Sequence, residues 1–174
     1  MRVLSIDPAL RNTGFSVVES YKSPTGRTEY RAIDYGTIKN ARQLSQAGCL
    51  CRIREEISQV IVKHRPEVCA VEGVIFVQSY KTAITMGAAR GAAIIAAAEH
   101  GLEVHEYAPR RVKQAVVGRG GADKQQVAFM MRSILKLTET PQSDAADALA
   151  IGMTHFYAND PLKAGMNLGK SVAL

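Results

Sequence analysis

The spacing of apolar positions changes sharply along this chain, and each change marks an element. Three strand-like runs come first, at 2–7, 14–21 and 29–39, the last alternating loosely as YRAIDYGTIK. The polar connection SYKSPTGRTEY carries Pro24 and Gly26 and predicts a hairpin loop between the second and third runs. From 42 to 63 the residues Leu50, Ile53, Ile57, Val60 and Ile61 recur at helical spacing, and Pro66 stops that helix. EVCAVE at 67–72 is nearly all apolar and predicts a short strand ending in Glu72.

The stretch 79–99 predicts a helix, and GAARGAAIIAAA within it is small or apolar almost all the way round. Such a helix needs covering on every side, by its own chain or by a second copy. EVHEYA at 103–108 reads as another strand, Pro109 opens a short helix to Val117, and GRGGAD at 118–123 is a flexible turn. Val127, Met130, Met131, Ile134 and Leu135 form one apolar helical face, where the methionines are core. A final helix begins near PQSDAAD and runs through ALAIGMTHFY. Strands followed by alternating helices and strands predict an α/β protein: a mixed five-stranded sheet with helices on both faces and parallel pairing around EVCAVE. No linker divides the chain, so 1–160 is expected to be one domain and 161–174 a loosely ordered tail.

At 174 residues the chain can bury a full core without disulfides or a structural metal. Cys49, Cys51 and Cys69 form no Cys-x-x-Cys pair and read as reduced. His64, His100, His105 and His155 show no metal-ligand spacing among themselves. No apolar run is long enough to span a membrane and the first residues do not resemble a secretory signal, so a cytoplasmic address is expected. The formal charge of +6 permits a polyanionic partner. Its distribution says more: Arg110, Arg111, Lys113, Arg119, Lys124, Arg132 and Lys136 lie close together, with Asp123 the one acid among them.

Asp7 closes the first strand, where a lone aspartate is ordinarily a turn former. Ligands, however, bind at the carboxyl ends of parallel strands, and Glu72 ends such a strand too. Asp144 and Asp147 are three apart and share one helix face. Acids in a first turn also simply suit the helix dipole, with Thr140 or Ser143 as cap. The alanines around them argue for burial instead. Four convergent carboxylates at about 4 Å would repel by roughly 4 kcal/mol per pair at an effective dielectric near 20. They must hold protons or a cation, and oxygen ligands select Mg²⁺ or Mn²⁺. With a basic run to hold a polyanion, these features describe a metal-dependent nuclease.

IDPALRNTGFSVV, AVEGVIFV, GAARGAAIIAAA, YAPRRVKQAVVGRGGADKQQV and DAADALAIGMTH, in this order and spacing, resemble the bacterial RuvC family of Holliday-junction resolvases over residues 1–157. The resemblance implies an RNase H-like fold and a homodimer that cuts opposed strands of four-way DNA junctions, with two Mg²⁺ per site and Mn²⁺ as a substitute, leaving a 5′-phosphate and a 3′-hydroxyl. It assigns Asp7, Glu72, Asp144 and Asp147 as catalytic acids and metal ligands, and Lys113 and Lys124 as catalytic lysines near the scissile phosphate. The helix around Gly87 to Ala98 would be the dimer contact, which suits a pseudo-two-fold junction. DNA contacts are expected from Phe76, Tyr80, Arg110, Arg111 and Arg119, and RuvA and RuvB-like branch-migration proteins as partners.

Three positions depart from the family pattern. Ala9 stands where glycine is common, Gly73 where glutamine is usual, and Ile75 where an aromatic stacks on a junction base, so that Phe76 or Tyr80 would have to supply the stacking. Two other readings stay open: an RNase H-like nuclease for structured RNA, and a junction-binding module without catalysis.

Overall fold

The computed structural model describes residues 1–73, 79–160 and 172–174. In chain order the elements are β1 (Arg2–Asp7), β2 (Asn12–Lys22), β3 (Thr28–Lys39), α1 (Gln46–His64), β4 (Val68–Glu72), α2 (Tyr80–Glu99), β5 (Glu103–Tyr107), α3 (Pro109–Val117), α4 (Lys124–Ile134), α5 (Ser143–Ala158) and β6 (Val172–Ala173). The sheet order is β3-β2-β1-β4-β5-β6. Pairing is antiparallel from β3 to β1, parallel from β1 through β4 to β5, and antiparallel again at β6.

The five strands read from the sequence are all present. The sixth was not anticipated: Val172 and Ala173 pair with Glu106 and His105 at the sheet's edge, within the stretch expected to be a loose tail. Two residues carry no periodicity, so no pattern could have announced this strand.

Alternation along the strands divides the interior into two cores. Leu4, Ile6, Val17, Cys69, Val71 and Val104 face α1 and α2, while Val3, Val18, Val68, Ala70 and Tyr107 face α3, α4 and α5. α1 contributes Cys49, Ile53, Ile57 and Ile61, four apart on one stripe. It starts later than the apolar pattern suggested, because the Ser45 side chain accepts from the Gly48 N–H at 3.1 Å and caps it there. It ends at Arg65, left-handed at φ 49°, immediately before Pro66.

α5 runs through the middle of the larger core, buried at every residue from Ala148 to Phe156. It lies close to β1 because Gly152 has no side chain: a Cβ there would sit 2.7 Å from Ser5 Oγ. Ser5 itself shares a hydrogen bond of 2.6 Å with Ser16 on β2, which satisfies both buried hydroxyls.

Candidate active site

β1 and β4 run side by side with Ile6 opposite Val71, so the residues that follow, Asp7 and Glu72, end their strands at one level of the sheet. Val3 and Ala70 face the α3–α5 layer. Side chains an even number of residues apart share a face, so Asp7 and Glu72 point into that layer as well. Across the antiparallel ladder, Asp7 is opposite Gly14. A Cβ at Gly14 would collide with the backbone oxygen of Asp144, so this glycine lets the first turn of α5 lie against the sheet beside Asp7. Asp147 follows three residues on, on the same face.

Neither Thr140 nor Ser143 caps α5. Gln142 occupies the cap position without a side-chain bond, and Ser143 is already helical. This end of the helix therefore keeps its partial positive charge among the acids. The turn between β1 and β2 is closed by Thr13, whose hydroxyl donates to Ala9 O at 2.6 Å and accepts from Ala9 N–H at 3.3 Å. Alanine is tolerated at position 9 because the backbone there does not take a positive φ: among the described residues only Arg65 and Lys136 are non-glycines with positive φ.

The four acids interact as a group. Burial, then the charges of Asp147 and Asp144, push the Asp7 carboxyl up to about 6, against the pull of Lys124 and a hydrogen bond with Glu72. Burial, then the charges of Asp7 and Asp147, push Glu72 up to about 8, opposed by Lys113 and Lys124. Asp147 is also raised, by burial first, although Lys124 Nζ stands 3.4 Å from its Oδ2. Burial works against the charged form of Lys124, but its acidic neighbours, Asp147 foremost, outweigh this and hold its ammonium above the usual range. Near neutral pH the hydrogen-bonded Asp7–Glu72 pair thus retains a proton. Among the described residues no three His, Cys, Asp or Glu side chains stand in ligating geometry. The acids are gathered without being drawn onto one point, and a proton and Lys124 offset part of their charge. An all-oxygen donor set with negative charge left uncompensated fits hard divalent cations.

The two lysines come from opposite sides of the 118–123 turn. Lys113 lies on α3, and Lys124 is the first residue of α4. The turn is built tightly: Gly118 ends α3 at φ 84°, a Cβ at Gly120 would collide with the Arg110 side chain, and Asp123 caps α4 through the Gln126 N–H at 2.8 Å. The Gln126 side chain in turn accepts from the Asp123 N–H at 3.1 Å. This reciprocal box fixes where Lys124 begins its helix.

The other expected contacts scatter. Arg110 and Arg119 are exposed beside the turn. Arg111 turns inward, its guanidinium 4.9 Å from the centroid of the buried Tyr107 ring, and burial lowers its pKa. Tyr80, at the start of α2, is 93% exposed. Phe76 and Ile75 lie outside the described residues. Gly73 has a local reason: its N–H donates to Tyr107 O at 2.9 Å, and a Cβ would come within 2.6 Å of Glu106 Oε1, in the ion pair with Arg90.

The sequence reading did not single out Gly14, Thr13, Gly152 or the Arg90–Glu106 pair. A glycine inside a strand pattern is the one available signal among these, because it marks a close backbone approach.

The family model described as "Crossover junction endodeoxyribonuclease RuvC" matches residues 3–155. The chain belongs to the RuvC family. A RuvC crossover junction endodeoxyribonuclease of Akkermansia muciniphila is 57% identical over 167 residues, covering 95% of this chain and 96% of its own. A RuvC of Halorhodospira halophila is 43% identical over 164 residues, covering 94% and 95%. Thermus thermophilus RuvC, solved in complex with Holliday junction substrate, superimposes with a TM-score of 0.84 at 37% identity, covering 100% of this chain and 99% of that one. This RuvC-family chain accordingly has the RNase H-like α/β fold that its motifs implied.

Proposed function

We propose that this chain is a structure-selective endodeoxyribonuclease that resolves four-way DNA junctions by hydrolysing opposed strands, leaving a 5′-phosphate and a 3′-hydroxyl, in homologous recombination and DNA repair. The observation that carries this reading is the carboxylate group at the β1/β4 strand ends, closed by α5 and flanked by two lysines, in a chain that spans RuvC relatives nearly end to end. Asp7, central in the group, would hold two Mg²⁺ ions, or Mn²⁺ in their place, together with Glu72, Asp144 and Asp147. What divalent ions supply at such a site is activation of water and stabilisation of the leaving oxygen of a phosphodiester. Asp7 and Glu72 would have to be ionised to hold such cations. Lys124, held near Asp147, and Lys113 steady the phosphate and the charge that develops on it. Gly14 and the Asp123–Gln126 box hold these groups in place before substrate arrives.

Two identical sites require a dimer. Support for contact through the Gly87–Ala98 stretch of α2 comes from the exposure of Ile84 and Ile95 and from the open space outside Gly87 and Gly91, where a second backbone can approach. RuvA and RuvB-like proteins as partners rest on family membership. Among the described residues no helix is long and apolar enough to cross a membrane; a cytoplasmic site of action completes the proposal.

The test is a synthetic four-way junction incubated with wild type or Asp7→Asn, with Mg²⁺ or with a chelator. Paired, metal-dependent nicks in opposed strands, made by the wild type alone, are expected. Tight binding without cutting under any metal would make the chain a junction-binding module. Cutting of structured RNA with indifference to junctions would make it an RNA-processing nuclease.

A further inference from the structure

The row of residues that holds Asp7 continues past it to the edge of the sheet. Asp7 pairs with Gly14 on β2, and Gly14 pairs with Thr37 on β3. Partners in a ladder carry their side chains on one face, so Thr37 faces the α3–α5 layer as Asp7 does. Tyr35 and Lys39, two residues to either side, share that face. Two interstrand spacings put Thr37 about 10 Å from Asp7. Here β3 and the head of α5 enclose a cleft of about 310 Å³, lined by Tyr35, Gly36, Thr37 and Lys39 on one wall and by Gln142 and Ala145 on the other. Gln142 and Ala145 stand on either side of Asp144 in the chain, so the cleft adjoins the carboxylate group.

The polar groups of this cleft suit an anion, and they are not spent elsewhere. Lys39 is exposed and makes no ion pair among the described residues. Gln142 holds the cap position of α5 without a side-chain bond. The Thr37 hydroxyl is buried with no hydrogen-bond partner, a state that a ligand or an ordered water would complete. No acid lines the cleft. Asp34, next to Tyr35 on the strand, alternates to the other face, where Lys63 Nζ at 3.0 Å and His64 Nε2 at 2.7 Å hold its carboxylate. Lysine, threonine, tyrosine and glutamine are usual donors to backbone phosphate. A base would leave the ammonium uncompensated, and an apolar side chain would leave every one of these donors unpaired.

We propose that this cleft seats a second backbone phosphate of the bound junction, beside the one being cut. At a rise of about 3.4 Å per nucleotide, a separation of about 10 Å places it within about three nucleotides of the cut. Such a contact reads no sequence and sets register: with one phosphate gripped at β3 and another at the acids, the DNA cannot slide between them. The proposal rests on the resolvase reading and adds a positioning contact to it.

The experiment measures binding of a four-way junction in EDTA, over a range of salt, by wild type, Lys39→Gln and Lys39→Arg. Lys39 is solvent-exposed, so neither substitution threatens the fold. Loss of one phosphate contact lowers the slope of log affinity against log salt by about 0.9, which is about eight-fold in affinity at about 0.1 M salt. Lys39→Gln is expected to show both changes and Lys39→Arg neither. Junctions carrying one methylphosphonate, an uncharged replacement, at each phosphate around the crossover then locate the contact. One position within the stated reach of the cut should weaken wild type about as much as Lys39→Gln does, with no further loss when the two are combined. Unchanged slope and affinity in Lys39→Gln would overturn the proposal, as would losses that add at every position, which would make Lys39 a diffuse charge and not a seat. Adding Mg²⁺ to the wild-type sample separates the two claims. A wild type that neither binds nor cuts the junction defeats the resolvase reading itself, whereas binding and cutting with no coupling at Lys39 defeats only the cleft.

Discussion

Gly14 on β2 and Asp144 on α5 touch backbone to backbone, with no room between them for a methyl group. Gly14 also pairs with Asp7 across the ladder, so this one position sets how close two of the four acids come. Gly14→Ala should therefore push the head of α5 off the sheet while leaving every carboxylate in the chain. Overpacking of this kind costs about 1–3 kcal/mol. Cleavage should fall far more than the loss of stability explains, because geometry within the group is disturbed directly. A junction-cutting assay beside thermal melting checks this, and a variant that melts lower but cuts at the wild-type rate would show the close approach to be structural only.

Asp7→Asn should abolish cutting and preserve junction binding, since it removes a carboxylate from the centre of the group and leaves the basic surface intact. It should also change how the cation-free protein responds to pH. Asp7 and Glu72, pushed to about 6 and about 8, bind protons more tightly folded than unfolded. The stability they contribute is full in acid and is lost as pH rises through those values. Melting temperatures measured in chelator from pH 5 to pH 9 should fall more steeply for wild type than for Asp7→Asn.

Lys124→Met separates chemistry from folding. The Lys124 side chain is 67% exposed, and ion pairs so placed add less than about 1 kcal/mol. Stability should barely move, while cleavage drops by about 10²–10³-fold if the ammonium stabilises developing charge. A rate unchanged at saturating Mg²⁺ would reduce Lys124 to a surface contact.

His155 is buried, shares a 2.9 Å hydrogen bond with the Tyr107 hydroxyl, and is held down to about 4 by burial first and by His105 second. The unfolded chain binds a proton at this residue near pH 6.5 and the folded one does not. Stability is therefore full above that value and falls by roughly 3 kcal/mol as pH drops through 6.5 to about 4. Against His155→Gln, which has no such titration, wild type should lose its advantage across that window in denaturant melts. A constant difference between pH 7 and pH 4 would mean that the imidazole is protonated in the folded state.

The strands and helices were legible because each carries its own period, and the sheet faces followed from which residues alternate. The acids were legible as candidates because Asp7 and Glu72 each end an apolar run, and Asp144 and Asp147 share a helix face. What held them together was not. Gly14 acts through a residue far along the chain that no local pattern names, and Arg111 reads as one more surface cation until Tyr107 is seen beneath it. α5 starts within PQSDAAD as the sequence suggests, but its cap departs from the general preference for serine and threonine: Ser143 is drawn into the helix itself and Gln142 takes the cap position.

Eleven of the sixteen residues of α5 are buried, and the same helix presents Asp144 and Asp147. Sites assembled on surface loops can lose their geometry to local fraying long before a protein melts. Here two of the acids ride on the central support of the larger core, so they cannot separate from Asp7 unless that core opens. Heat inactivation and global unfolding should consequently share one midpoint, and the enzyme should stay competent up to the edge of its own melting transition.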